Sequence, residues 1–212
     1  MLKWFKTIYK MKNILKVFKP SVFLLSALFL LNSCTSQDGD TAKDETVTES
    51  SMDSVTTNAT PQKLSDPEIA SVAVTADQID IDYAAIAKEK SRNADILKFA
   101  ATMAKDHQSV NDQAVALVTK LGVTPKDNAT TQSLLSGAIT TKAMLHSKSG
   151  DDFDKAYIDN EVAYHKAAIS VVENTLIPDA TNSELKSLLQ AALPIFKQHL
   201  AHAEMVQKQF SK

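Results

Sequence analysis

The chain has 212 residues, and its 23 Lys+Arg and 25 Asp+Glu give a formal net charge of −2. Residues 1–33 hold six of the lysines and no acid, so the remainder has 17 basic and 25 acidic residues and a net charge of −8. This excludes a nucleic-acid binder, because phosphate recognition needs a basic face. Four glycines and 6% aromatic residues disfavour an all-β fold, while 44% hydrophobic residues suffice for a core. The composition therefore predicts an all-α protein.

Residues 1–33 have the form of a lipoprotein signal peptide. Lysines precede an apolar run at residues 22–31, and Cys34, the only cysteine, follows closely. The run is about half of the ~20 residues that cross a bilayer, so a signal peptide is favoured over a transmembrane helix. Cys34 resembles the acylated cysteine of a bacterial lipobox, and an ordinary thiol is the alternative. The pattern predicts an envelope lipoprotein anchored through lipid on Cys34 to the outer membrane, with its domain in the periplasm or on the cell surface.

Residues 34–64 are predicted to be a disordered tether that begins with the lipidated Cys34. Ser, Thr, Asp, Glu and Asn dominate after the cysteine, with six acids against two lysines and no aromatic residue. Such a segment buries too little apolar surface to offset its ordering entropy. Residues 65–212 remain as one domain of 148 residues, which is long enough for a single core.

The first half of this domain predicts two helices. The first begins at the capping box Ser65-Asp66-Pro67-Glu68, and the second follows a turn at residues 91–93 and ends at Gly122. Both carry apolar residues at steps of three and four. These are Ile69, Val72, Ala76, Ile79, Tyr83 and Ile86 in the first helix, and Ile96, Phe99, Met103, Val110, Ala114, Leu117 and Leu121 in the second.

The second half predicts a long crossover and two more helices. Residues 122–150 form the crossover, with one short helix near residues 131–147. The third helix runs from about Asp151 to Ile177, where Pro178 ends it. A second capping box, Thr181-Asn-Ser-Glu184, opens the fourth helix, in which Pro194 is expected to produce a kink. Its predicted inward stripe is Leu185, Leu188, Ala192, Ile195, His199, His202 and Val206.

Two helix pairs joined by one long crossover are the plan of a ferritin-like antiparallel four-helix bundle. Three motifs also resemble the secreted ferritin-like domains of unknown function of family 4142, often labelled "predicted outer membrane protein". They are Lys98-Phe99-Ala100 leading to Asp106-His107, Phe153-Asp154 and Tyr157 leading to His165, and Leu193-Pro194 leading to His199-Leu200. The resemblance covers residues 68–210 and implies the same bundle. Members of that family usually carry a Glu where this chain has the shorter Asp80.

Three histidines carry the predicted chemistry. His107, His165 and His199 stand on the second, third and fourth helices where the helical period expects apolar side chains. A single such histidine is usually a hydrogen-bonded core residue, but three on three helices can share a metal ion that satisfies them all. Asp80 would complete a tetrahedral set, and Asp106 is a ligand, a hydrogen-bond partner or a solvated residue. The cofactor predicted is one transition-metal ion, with Zn, Fe, Mn and Cu all open.

Other polar residues lie near this predicted site. Glu161 either accepts a hydrogen bond from His165 or pairs with a lysine at the surface, and Tyr157 shares its helix face. His202, one turn beyond the histidine of the fourth helix, is a candidate fourth imidazole. His146, in the crossover, is predicted to be exposed.

Enzymatic chemistry finds little support in the sequence. Bridged di-iron sites of ferritin-like bundles need Glu-x-x-His, but Ala104, Val162 and Phe196 stand three residues before the histidines, so ferroxidase and oxidase chemistry are disfavoured. Hydrolase and nucleotide-binding motifs are lacking, and no catalytic residue is assigned. The sequence thus predicts a metal-binding envelope lipoprotein. The alternative is a non-enzymatic interaction or stress-related module with structural histidines, whose partner is an envelope protein or a second copy of the chain.

Overall fold

The computed structural model describes residues 63–210, and in this range every regular element is helical. The all-α prediction is therefore confirmed. The predicted signal peptide, Cys34 and all but the last two residues of the tether lie outside the described residues. The long helices are α1 (Asp66–Lys90), α2 (Ala94–Lys120), α3 (Ala129–Ser147), α4 (Gly150–Val171) and α5 (Ser183–Gln207). A π-helical turn, Val172–Leu176, and a short α-helical segment, Ile177–Asp179, continue α4, and the 3₁₀ turn Lys208–Phe210 follows α5.

The ends of α1 and α2 are set by local hydrogen bonds. The Glu68 carboxylate accepts from the backbone N–H of Ser65 at 3.0 Å and from its hydroxyl at 2.6 Å, so the first predicted capping box is present. The Asn93 side chain caps α2 by accepting from two backbone N–H groups. Gly122 follows α2 with φ of 65°, a conformation that glycine adopts without steric cost. The predicted bounds of both helices are confirmed to within a few residues.

Two predictions about the second half were wrong. Pro178 does not end the third helix, because the chain stays helical to Asp179. The preceding turn is π-helical, with the N–H of Ile177 bonded to the carbonyl of Val172, and this wider turn accompanies a proline that lacks its own N–H. The N-cap of α5 is Asn182 rather than Thr181, whose hydroxyl instead donates to Asp66 at 2.6 Å.

The four longest helices enclose a common core. Helix α1 packs along α2 and α4 packs along α5, and short connections make each of these pairs antiparallel. Contacts of α2 with α5 and of α1 with α4 join the two pairs. Helix α3 lies in the crossover against α1 and α4, and with 19 residues from Ala129 it is longer than the sequence indicated.

The core consists of two apolar clusters. The aromatic cluster is built around Tyr83, Ile96, Phe99, Met103, Leu145, Phe153, Tyr157 and Ile158. The aliphatic cluster contains Ile69, Val72, Val110, Ile169, Val172, Leu176, Leu185, Leu189, Ala192 and, at its edge, Phe196. Most buried polar residues of the four helices lie at or near the boundary between the two clusters, namely Asp77, Asp80, His107, Glu161, His165 and His199. The polar side chains therefore form a layer across the middle of the core.

In three turns of α5, the buried residue is the one directly after the residue that the sequence predicted. Leu188, Ile195 and His202 are only half-buried, whereas the buried residues are Leu185, Leu189, Ala192, Phe196, His199, Ala203 and Val206. Helix α5 has two adjacent rows of mainly apolar residues with the same helical period. The direction from which the other helices pack against α5 selects the row that is buried. The kink at Pro194 stays a prediction.

Candidate metal centre

The structure brings His107, His165 and His199 together from α2, α4 and α5. Each side chain is buried, and one ring nitrogen from each lies within 4.8 Å of those of the other two. These three histidines could hold a metal ion. The helical period explains why each histidine faces inward, and the packing of the helices brings the three to the same level of the core.

Each imidazole has one nitrogen held by a hydrogen bond. Nδ1 of His107 contacts Oδ1 of Asp77 at 2.7 Å, and Nδ1 of His165 donates to the Glu161 backbone carbonyl at 2.9 Å. Nε2 of His199 contacts Oδ2 of Asp106 at 3.1 Å. Bonds of this kind to carboxylates and carbonyls fix the tautomer and orientation of histidines that bind metals. The nitrogen of each ring that has no such acceptor is the one left for a ligand.

The available atoms form a compact triangle. Nε2 of His107 is 3.4 Å from Nε2 of His165, and Oδ2 of Asp80 is 3.4 Å from the former and 3.5 Å from the latter. Donors bound to zinc at about 2.0–2.1 Å in a tetrahedron lie about 3.3 Å apart. The triangle thus has the dimensions of one face of a tetrahedral site. Nδ1 of His199 is buried and has no hydrogen-bond partner, so it is available as a further donor beside this triangle.

Two buried carboxylates accompany the imidazoles. Asp80 and Glu161 are both 0% exposed, and none of their four oxygens has a hydrogen-bond partner. With His165 they form a second group whose ligand atoms lie within 4.8 Å of one another. Burying carboxylates without hydrogen bonds costs several kcal/mol by the usual order of magnitude, and a bound cation offsets that cost.

The electrostatics of the layer keep two imidazoles neutral. Burial lowers the pKa of His165 to about 3 and that of His199 to about 4. Burial is the largest single effect on His107 and acts to lower its pKa, but the charges of Asp80, Asp77 and Asp106 and the hydrogen bond to Asp77 together outweigh it, so the net shift is upward. Burial raises the pKa of Asp80 to about 6 and that of Glu161 well above its ordinary value. His165 and His199 are therefore neutral near pH 7, and each keeps one nitrogen lone pair for a ligand.

The structure decides among the alternatives left open for Asp106 and Glu161. Asp106 is about one-third exposed and acts as the hydrogen-bond partner of His199. The acceptor for His165 is the backbone carbonyl of Glu161, while its carboxylate Oε2 lies 3.6 Å from the same nitrogen. Glu161 is thus not a surface residue.

Tyr157 and His202 lie on the side of the aromatic cluster. Tyr157 is fully buried, and burial followed by the charges of Glu161 and Asp80 raises the pKa of its hydroxyl well above the ordinary value. The half-buried His202 packs edge-on against Phe99, with ring centroids 5.1 Å apart. His202 is absent from the ligand groups found among the described residues, so its assignment as a fourth imidazole is not supported.

Asp77 is the residue of the site that the sequence reasoning missed. It is 3% exposed and holds His107 through the shortest contact of the layer. A signal was present, since Asp77 precedes Asp80 by three residues on the strip of α1 that continues to Ala84 and Ala87. Helical spacing thus places Asp77 on the same face of α1 as Asp80.

The chain belongs to the family described as "Domain of unknown function (DUF4142)", whose model matches residues 51–206. This confirms the family resemblance, and the match begins within the segment predicted as tether. No curated protein and no solved structure matches the chain. Among residues 63–210, no helix has the length and apolar character needed to cross a membrane.

Proposed function

We propose that this member of the DUF4142 family binds one transition-metal ion through His107, His165, His199 and Asp80. The observation that carries the proposal is the triangle of His107 Nε2, His165 Nε2 and Asp80 Oδ2, with edges of 3.4, 3.4 and 3.5 Å. Three imidazoles oriented by hydrogen bonds and a carboxylate without one are the donors that zinc, copper, iron and manganese accept.

The edge lengths favour a small tetrahedral ion, and zinc fits best. Four protein donors leave no open position for a substrate, so the centre suits holding or buffering a metal ion rather than catalysis. The function is therefore metal storage or buffering.

The cellular setting proposed is the bacterial envelope. The support is in the sequence, where Cys34 follows an apolar run and an acidic Ser/Thr-rich segment precedes the domain. Lipid on Cys34 would anchor the protein to the outer membrane and leave the metal centre outside the cytoplasm. A ferritin-like bundle is proposed on the connectivity, since the antiparallel pairs α1–α2 and α4–α5 are joined by a crossover that contains α3.

Metal content tests this function directly. The full chain is purified without a histidine tag, stripped with a chelator and exposed in turn to Zn, Fe, Mn and Cu, and bound metal is measured by mass spectrometry. We expect about one ion per chain, lost when His107, His165 and His199 are all replaced by Ala. His146→Ala is the matched control, because His146 is exposed on α3. Absence of bound metal after all four exposures would contradict the proposal.

A thermal melt distinguishes the second candidate function, an interaction or stress-related module with structural histidines. This candidate is favoured by one observation, that each of the three histidines has a hydrogen-bond partner without any metal. Metal that binds only the native state raises its melting temperature, and a chelator reverses the effect. A melt unchanged by zinc and by chelator would favour structural histidines and a search for an envelope partner.

A further inference from the structure

A cavity of about 140 Å³ lies beside the polar layer on the side of the aliphatic cluster. Asp77, His107 and His165 line it together with side chains of that cluster. Asp80, Glu161 and His199 do not line it. The cavity is thus a separate space that touches the edge of the candidate metal centre.

Small side chains from several helices leave this space open. Ala73 on α1, Ala114 on α2, Ala168 on α4 and Ala192 on α5 all line it. The π-helical turn after α4 supplies two more wall residues, Val172 and Leu176. A π turn changes the direction of the wall relative to a regular helix, and such turns are frequent at functional sites. Larger residues at the alanine positions would have given a filled core.

The lining is apolar except at one end. The hydroxyl of Tyr164 is already engaged, because it donates to the backbone carbonyl of Ala76 at 2.9 Å. The remaining polar groups are the side chains of Asp77, His107 and His165. A cavity of this size lined by aliphatic groups does not hold water stably but accepts a molecule about as large as benzene. Ala167, which also lines the cavity, is exposed, so this wall of the cavity lies close to the protein surface.

We propose that this cavity binds a small organic molecule with an apolar body of about six to eight carbon atoms and a single hydrogen-bonding group. The body lies among the aliphatic side chains, and the polar group lies at the end formed by Asp77, His107 and His165. A ligand with one hydrogen-bonding group matches the cavity, because a second polar group would have no hydrogen-bond partner among the apolar walls. The apolar walls contain no residue of the proposed metal centre, but His107 and His165 belong to both sites, so binding is tested on the metal-free protein.

Phenol is the probe, with benzene and glycerol for comparison. The metal-free full chain is titrated by calorimetry and by ligand-observed NMR. Phenol is expected to saturate the protein with a dissociation constant of about 1 mM or lower, benzene to bind several-fold more weakly, and glycerol not to bind. Failure of phenol to bind at about 10 mM would overturn the site, and equal binding of phenol and benzene would overturn the polar end.

Two variants fill the cavity from two different helices. Ala192→Leu and Ala114→Leu place extra methyl groups in the space, and each is expected to weaken phenol binding at least tenfold. The matched controls are Ala191→Leu and Ala116→Leu, which change exposed alanines of the same helices. Melting curves verify that each variant is folded, and if one is not, the other still provides the test. Equal phenol affinity in a folded cavity variant and its control would contradict the proposal.

Discussion

The aromatic and aliphatic clusters differ in how completely they fill the core. In the aromatic cluster Phe99, Phe153, Tyr157 and Leu145 are each 0% exposed, and aromatic rings stack or meet edge-on. The aliphatic cluster borders a cavity of about 140 Å³. Unfilled volume weakens a core, because lining atoms lose dispersion contacts on one side. The comparison indicates that one half of the domain is packed for stability and the other leaves room beside the polar layer.

The largest expected effect comes from matched truncations in the two clusters. Leu145→Ala in the aromatic cluster should lower the free energy of unfolding by about 3–5 kcal/mol, and Leu189→Ala at the cavity wall by about 2–3 kcal/mol. Both leucines are buried, but Leu189 already lacks neighbours on one side. Urea unfolding of the two variants measures the difference. Equal losses would show that the two halves are packed alike.

Removing one buried carboxylate from the polar layer between the clusters should increase the free energy of unfolding, whereas the truncations decrease it. Asp80→Asn is expected to raise the stability of the metal-free protein by about 1–3 kcal/mol, because the carboxylate is fully buried with no hydrogen-bond partner. The same variant should lose the gain in melting temperature that zinc produces in the wild type. Unfolding in chelator and melting with zinc measure the two effects. A loss of metal-free stability would mean that Asp80 is compensated by the protein itself.

A smaller effect is expected at the end of the domain next to the aliphatic cluster. The Asp66 carboxylate accepts hydrogen bonds from the backbone N–H groups of Thr181 and Asn182 and from the Thr181 hydroxyl, and so ties the start of α1 to that of α5. Asp66→Ala should cost about 1–2 kcal/mol. Thr181→Val removes only the hydroxyl bond and is the control, with a smaller loss expected in urea unfolding. Equal stability of Asp66→Ala and the wild type would show that this link contributes nothing.

The smallest expected effect is the pH dependence of the stability that Glu68 contributes at the start of α1. Hydrogen bonds from Ser65, followed by one from Lys126, lower the pKa of Glu68 from 4.5 to about 2. A carboxyl whose folded-state pKa is lowered stabilises the protein above the unfolded-state value, and this contribution is lost as pH falls from about 4.5 to 2. Glu68→Gln should therefore be slightly less stable than the wild type at pH 7, with a gap that narrows below about pH 4. Urea midpoints across this range measure the gap, and a constant gap would contradict the assignment.

The helices were predictable because their signals are local. The capping box at Ser65 and the apolar steps of α1 and α2 act within a few residues, and the structure bears them out. The cap of α5 was placed one residue early, because Thr181 and Asn182 are both good caps and only the contact with Asp66 engages the threonine elsewhere. Local signals thus locate a helix, while its neighbours decide the last residue.

The candidate site was predictable in part. The helical period of apolar residues predicted that His107, His165 and His199 lie on inward faces, and the structure brings them together. The contact of Asp77 with His107 joins residues 30 positions apart, and the role of the Glu161 backbone depends on the local direction of the His165 ring. The first needs the angle at which α1 and α2 meet, and the second needs the side-chain rotamer of His165, which spacing alone does not give.

Local signals in the sequence are enough to predict that this domain is helical, which helix faces are apolar and which three histidines interrupt them, because periodicity and capping act over a turn or two of chain. Tertiary packing sets which of two adjacent stripes of α5 is buried, keeps the chain helical through Pro178, and brings alanines on four helices around one cavity. These features depend on how side chains from segments distant in sequence pack against one another in the core.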